Sequence, residues 1–351
     1  MRETVAIIGG GAVGCAIAYT LAGKYEVFLF EKNHRCGDEQ SGRNSGVNHG
    51  SLYYQPNSLK AQLCLEGNHL LRQFCKEHDV PYADVGKLVV PTKEKDEETL
   101  ELLIKNAQES GAEVSWITKK RIQEIEPNIR AAYALHSPKT GIVDAATYVQ
   151  RLAALAQMRG AYILTDTKVE AVDGSKIHTN TRGSCKADFI INAAGLYADQ
   201  VARMINTEST YSAGFVRGEY CSYRSRRENT RVKGNIYPTP SNGSVGVHVT
   251  PTFDNGKITV GPLFRLIENR DDYATNLLSP EKIVEAVQFF FPALQPEDVA
   301  IEGSGIMVQS PANLDFIIEK DDEHSAIHLL GIGSPGLTAS LAIAQHVAKM
   351  L

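Results

Sequence analysis

The chain has 351 residues, 36 Lys and Arg against 41 Asp and Glu, a formal net charge of −5 and 43% hydrophobic residues. That length exceeds the roughly 250–300 residues at which a single core stops growing, so two domains with a cleft between them are expected. The charges are mixed, with no basic stripe and no long charged tail, which excludes nucleic acid as the leading partner class and favours a small molecule.

Val5 to Ile8 form a short apolar, β-branched run that predicts a strand. Gly9, Gly11 and Gly14 follow at once as G-x-G-x-x-G, and Val13, Ile17 and Leu21 then fall on one face of a predicted helix. In such a unit the first glycine permits the tight turn and the second lets backbone approach a pyrophosphate. The third lets helix and strand pack closely, with the phosphates at the helix N-terminus. A second strand, E-V-F-L-F-E-K, ends at Glu31, near the ~20-residue spacing at which an acid meets a ribose. The motif predicts a dinucleotide and leaves NAD and FAD open.

No charged, apolar and cleavable leader precedes that strand, and no apolar run reaches the ~18 residues of a membrane span. A soluble, cytoplasmic protein is expected, with peripheral membrane contact still compatible. Cys15, Cys36, Cys64, Cys75, Cys185 and Cys221 lie far apart without a C-x-x-C pair, which predicts reduced thiols rather than a zinc cluster or a disulfide framework.

The next segment, Gln40 to Tyr54, reads Q-S-G-R-N-S-G-V-N-H-G-S-L-Y-Y, a polar, glycine-rich loop suited to close approach of a ligand. G-K-L-V-V predicts a strand, and a charged helix is expected around Lys95 to Ser110. Ala187 to Val201 predicts a buried strand, a turn at Ala194 and Gly195, and a helix starting near Ala198. Short strands follow, separated by the hairpin signals S-N-G-S and D-N-G-K, and then a helix from Pro280 to Phe291 closed by Pro292. The last stretch, A-I-H-L-L-G-I-G-S-P-G-L-T-A-S-L-A-I-A, repeats strand, glycine-rich turn and helix. Its N–H groups from Ser334 to Thr338 suit the negative charge of a reduced flavin.

In their order and spacing these segments resemble the FAD-dependent oxidoreductases of the D-amino-acid-oxidase and glycine-oxidase superfamily, above all its L-2-hydroxyglutarate dehydrogenase/oxidase branch. The resemblance spans nearly the whole chain and is carried by N-S-G-V-N-H-G-S-L-Y-Y, S-L-K-A-Q-L-C, V-G-K-L-V-V, P-K-T-G-I-V-D, N-A-A-G-L-Y-A-D, F-V-R-G-E-Y, G-N-I-Y-P-T-P and G-V-H-V-T-P. It implies a Rossmann-like α/β flavin domain from 1–80, 145–208 and 305–351. A substrate domain of α+β type, with a mainly antiparallel sheet, would come from 81–144 and 209–304. It implies FAD on Gly9, Gly11, Ala12, Val13, Gly14, Glu31 and Lys32, on Ser41, Asn44 and Ser45, and on Val169, Ala194 and Gly195. The turn holding Gly331, Ser334, Pro335, Gly336, Leu337 and Thr338 completes that set.

The implied reaction is oxidation of a small anionic 2-hydroxy acid to the 2-oxo acid by hydride transfer to the flavin. This reaction requires a base for the hydroxyl proton. His49 is the first candidate, by its place in the loop and the family match, and His248 in V-G-V-H-V-T-P is the second. Many amino-acid-oxidising relatives carry a carboxylate-clamping arginine where this chain has Met307, so Arg217 and Arg265 become the clamp candidates, with Tyr53 and Tyr54 as donors. The chain is shorter than typical members of the branch and reads H-G-S where they usually read H-S-G, which leaves the substrate open. An amino-acid or sarcosine-type oxidase and a glycerol-3-phosphate-type dehydrogenase are the enzyme alternatives, and a non-catalytic flavin-binding subunit is the alternative of another class. Oxygen, a quinone or a protein all remain open as electron acceptor. No metal site is expected, since the other histidines lack ligand spacing.

Overall fold

The structure, a computed structural model, describes residues 2–93, 96–225, 227–241, 245–254, 256–309 and 315–351. Its first sheet has six strands in the order Ile317–Asp321, Ala326–Leu330, Phe189–Asn192, Thr4–Ile8, Glu26–Phe30 and Tyr162–Leu164. All neighbours are parallel except the antiparallel pair Ile317–Asp321 and Ala326–Leu330. A parallel sheet needs cover on both faces, which is why V-A-I-I reads as an unbroken apolar run rather than an alternation. Val5, Ile7 and Leu29 pack under the helices Ala12–Leu21, Leu59–Glu77, Ala145–Met158 and Gly336–Ala348. Ala6, Ile8 and Ile190 face the helix Ala198–Ile205 and a small antiparallel sheet containing Val169–Asp173.

The second sheet has eight strands, in the order Ala300–Gln309, Gly214–Arg224, Lys257–Ile267, His248–Pro251, Asn235–Pro238, Lys87–Val90, Tyr133–Ser137 and Ser115–Thr118. Only Asn235–Pro238 and Lys87–Val90 run parallel. Alternation divides its residues between two faces. Leu88, Val90, Ile236, Val249 and Val260 bury one face under the helix Pro280–Gln288 with Phe290 and Phe291. Val89, Leu135 and Tyr237 lie on the other face, with Leu52 and Leu100.

The expected α/β and mainly antiparallel parts are both present, with local corrections. The helix from Pro280 stops at Gln288, and Phe290 and Phe291 turn inward as core residues, because residues before Pro292 are disfavoured in helical conformation. The charged helix is Asp96–Glu109; Lys95, where it was expected to begin, lies outside the described residues. The S-N-G-S signal lies mostly outside them too, as does Asn255 of D-N-G-K, whose flanking strands His248–Pro251 and Lys257–Ile267 do pair antiparallel. Strand Ala300–Gln309 belongs wholly to the second sheet, so the boundary expected between 304 and 305 falls inside a strand.

Gly14 fixes how the first helix lies on its strand: a Cβ there would overlap the Gly9 carbonyl oxygen, while Gly9 itself has φ +111°. Overpacking of this kind typically costs about 1–3 kcal/mol. We therefore expect Gly14→Ala to lower the thermal unfolding midpoint and to weaken retention of a bound nucleotide together, as read by scanning calorimetry and gel filtration.

Candidate active site

Two adjoining cavities run between the sheets, of about 340 Å³ and about 660 Å³, and share Ala12, Val13, Gln40, Ser41 and Ile332 in their walls. The smaller is lined by Gly9, Gly11, Glu31, Lys32, Val169, Ala194 and Gly195. Gly14 lies behind it as the helix-packing residue. The Glu31 carboxylate accepts from Gly10 N and Asn33 N, both at 2.8 Å, and burial raises its pKa against the pull of those bonds. Lys32 pairs with Glu39 and lies 4.2 Å from the Tyr197 ring centroid.

The larger cavity is lined by Asn44, Ser45, His49, Tyr53, His248, Arg265, Met307, Gly331 and the turn from Ser334 to Thr338. Helices Ala12–Leu21 and Gly336–Ala348 start at these walls with no N-cap side chain bonded and no acid in the first turn. Ser41 Oγ, from the loop, accepts from Ala12 N at 2.9 Å. By contrast Leu59–Glu77, Ala145–Met158 and Pro280–Gln288 are capped by Ser58, Asp144 and Ser279. The first amides of a helix lack intrahelical partners and carry partial positive charge, so two open N-termini on joined cavities suit an elongated ligand that is anionic in two places. A dinucleotide flavin, with its pyrophosphate and a ring that gains charge on reduction, fits that description.

His49 is held from both ends of its peptide, with its N–H donating to Thr338 Oγ1 at 2.9 Å and its carbonyl accepting from Asn68 Nδ2 at 3.1 Å. Its Nδ1 lies 3.4 Å from Lys87 Nζ. Burial first, then the Lys87 and His248 charges, hold the imidazole well below its usual pKa, so it is neutral. His248 points into the cavity, stacks on Tyr237 at 4.0 Å and sits 3.3 Å from Ser45 Oγ. Burial lowers its pKa to about 3, which makes it neutral too. Tyr53 Oη is buried without a hydrogen-bond partner among the described residues. It is a donor available to a ligand.

The two expected clamp arginines, Arg217 and Arg265, are register partners on adjacent antiparallel strands and differ in exposure. Arg217 is 1% exposed; its guanidinium hydrogen-bonds Glu219 at 2.9 Å and Asn276 at 2.5 Å and ion-pairs with Asp272 at 2.6 Å, outside the cavity wall. Alternation along Gly214–Arg224 aims it at those acids, so it is a structural cation and not a substrate clamp. Arg265 does line the cavity at its exposed rim, beside Phe264 and Leu266. Sequence reasoning passed over Arg43 and Lys60, which line the same cavity. Arg43 donates to the Asp38 and Ser304 carbonyls and lies 4.5 Å from the Tyr273 ring centroid. It passed over Lys87 as well, although a lysine opening an otherwise apolar strand was a visible signal. No described residues form a group able to hold a metal ion, and no described helix is long and apolar enough to cross a membrane.

Residues 4–350 match the family described as DAO, FAD dependent oxidoreductase. The chain belongs to this FAD-dependent oxidoreductase family. It is 32% identical over 399 residues to the L-2-hydroxyglutarate dehydrogenase of Indibacter alkaliphilus, covering 99% of this chain and 98% of that one. The dithionite-reduced L-alpha-glycerophosphate oxidase of Mycoplasma pneumoniae, solved with FAD bound, superposes with a TM-score of 0.92 at 28% identity over 100% of this chain and 95% of that one. Glycine oxidase of Geobacillus kaustophilus shares the fold, with a TM-score of 0.86 at 22% identity over 99% and 94%. The cofactor of this oxidoreductase is therefore FAD.

An acid placed in an open first turn tests the helix argument. Ala12→Asp sets a carboxylate where both cavities meet, and we expect FAD affinity to fall by about tenfold or more at low salt, since a first-turn charge is worth roughly 0.3–2 kcal/mol and acts twice when it also faces phosphate. Fluorescence titration of the apoprotein reads it, and added salt should shrink the loss.

Proposed function

We propose that this oxidoreductase converts L-2-hydroxyglutarate to its 2-oxo acid. The observation that carries the reading is the composition of the larger cavity wall, which among the described residues has Arg43, Lys60 and Arg265 and no Asp or Glu. A dianionic substrate next to a cofactor that gains negative charge needs such a surplus. The name of the Indibacter alkaliphilus relative supports the choice among dianions. Met307, at the position where amino-acid-oxidising relatives are expected to have arginine, argues for a clamp from other elements, and its sulfur is 3.3 Å from Ser334 N in the turn.

In this reading FAD, when bound, supplies the two-electron acceptor for the substrate C–H. Gly9, Gly11, Ala12, Val13, Glu31, Lys32, Val169, Ala194 and Gly195 hold its nucleotide end, with Gly14 packing the helix behind them, Ser41 between the cavities, and Asn44, Ser45 and the Gly331 to Thr338 turn in the larger one. His49 takes the hydroxyl proton, and His248 with Tyr53 orients the substrate. Arg265, with Lys60 and Arg43, binds its carboxylates. A reducing, cytoplasmic setting belongs to the same reading, supported by six free cysteines, five of them buried.

A second reading, oxidation of glycerol phosphate, draws on the superposition with the Mycoplasma pneumoniae enzyme and on the same cations. Anaerobic addition of each compound to the oxidised protein separates them. L-2-hydroxyglutarate is expected to bleach the flavin band, and bleaching by glycerol 3-phosphate alone would overturn the choice. His49→Gln is expected to keep FAD and slow the bleaching by about 10²–10⁴-fold, the usual contribution of a general base. Arg265→Met should weaken substrate binding more than it slows the bleaching at saturation, and should do so more for the dicarboxylate than for lactate.

A further inference from the structure

Lys87 has no counterpart in this scheme, yet it is only 1% exposed and no carboxylate partner is found for it among the described residues. Its Nζ lies 4.0 Å from the Tyr237 ring centroid, 4.7 Å from that of Tyr53 and 3.4 Å from His49 Nδ1. It does not reach the cavity wall itself. Such a burial is costly for an ammonium, and a lysine kept this way is normally kept for its proton.

We propose that Lys87 is the positioning residue of a proton relay, receiving through His49 the proton removed from the substrate hydroxyl, so that His49 is a base only while Lys87 is uncharged. The inference rests on the reading of His49 as the base. A charged ammonium has three donors and no acceptor, so it donates to Nδ1 and forces the proton of the neutral ring onto Nε2. Nε2 is then a donor and takes nothing from a hydroxyl. An uncharged amine accepts from Nδ1–H, and Nε2, which has no protein partner among the described residues, presents its lone pair. When the substrate O–H breaks, its proton goes to Nε2 and the Nδ1 proton passes to Lys87 Nζ. The C–H electron pair leaves with its hydrogen to FAD, the oxidant. The substrate loses a hydride and a proton, and the proton rests on Lys87.

The surroundings allow both states. Cys64 faces the amine from helix Leu59–Glu77, and Tyr237 from Asn235–Pro238. Tyr53 and His49 face it from the loop, and His248 from His248–Pro251; the register partners of Lys87, Ser137 and Asn235, do not titrate. Burial brings the amine down to about 7, with Cys64 opposing, while the histidines and tyrosines stay neutral across that range.

The test is a pH series of two-bond ¹⁵N–¹H spectra of ¹⁵N-histidine-labelled holoprotein with oxidised FAD and no substrate, with His49 assigned by loss of its signals in His49→Gln. We expect the Nε2–H tautomer at pH 6 and Nδ1–H at pH 8.5, crossing near 7. Lys87→Arg, which keeps the charge and does not titrate, should stay Nε2–H throughout, and Lys87→Met should show no crossing. A tautomer that does not change in the wild-type protein, or that still crosses in Lys87→Met, overturns the relay, whichever of the two variants folds. Flavin bleaching by L-2-hydroxyglutarate should fall tenfold per pH unit below about 7 and level off above it, and at pH 8 Lys87→Arg should be about 10²-fold slower. A tautomer crossing with bleaching by another hydroxy compound but not by L-2-hydroxyglutarate supports the relay and removes the substrate reading; bleaching with a fixed tautomer removes the relay alone.

Discussion

The site depends on leaving the positive ends of two helices open toward the same space. Unlike Leu59–Glu77 and Ala145–Met158, the helices Ala12–Leu21 and Gly336–Ala348 carry no bonded N-cap side chain, and Ser41 Oγ engages only the Ala12 amide of the first. Glycines let the turns before these helices pack closely against the rest of the chain. At Gly11 a Cβ would come within 3.0 Å of Ser41 Oγ, and at Gly333 within 3.1 Å of Met307 Cγ. Stability is given up at the helix ends and recovered when the anionic cofactor arrives, which couples holding FAD to holding the fold.

That coupling explains which parts of the chain were legible in advance. The nucleotide side is written in local grammar: a β-branched run, three glycines, an amphipathic helix and an acid at a set distance, all within the first strand pair. The structure has those elements where the pattern predicts them, because each residue's task there concerns its near neighbours in sequence. His49 and Thr338 are different, since their bond joins residues separated by 289 positions. Arg217 shows the same limit from the other side. Glu219 in the same R-G-E-Y run engages it, but so do Asp272 and Asn276, far along the chain, which no local pattern reveals.

The reacting end is governed by titratable groups taken out of water. Neutral imidazoles at His49 and His248 and a lysine near its neutral point arise first from one cause, burial. Each group alone reads as an ordinary polar residue in a strand or loop. Only the second sheet, by putting Lys87, Tyr237 and His248 on neighbouring strands, makes them one electrostatic unit.

The route of the chain has a mechanical consequence. It passes from the six-stranded to the eight-stranded sheet after Glu26–Phe30, back before Tyr162–Leu164, across again at Gly214–Arg224 and home after Ala300–Gln309, while the small sheet of Val47–Asn48, Gly141–Val143 and Tyr82–Ala83 ties the first two crossings together. Four strap-like connections of this kind resist a hinge, for no single loop can absorb the rotation. The larger cavity meets the surface at its exposed rim, where Phe264, Arg265 and Leu266 follow one another along one strand.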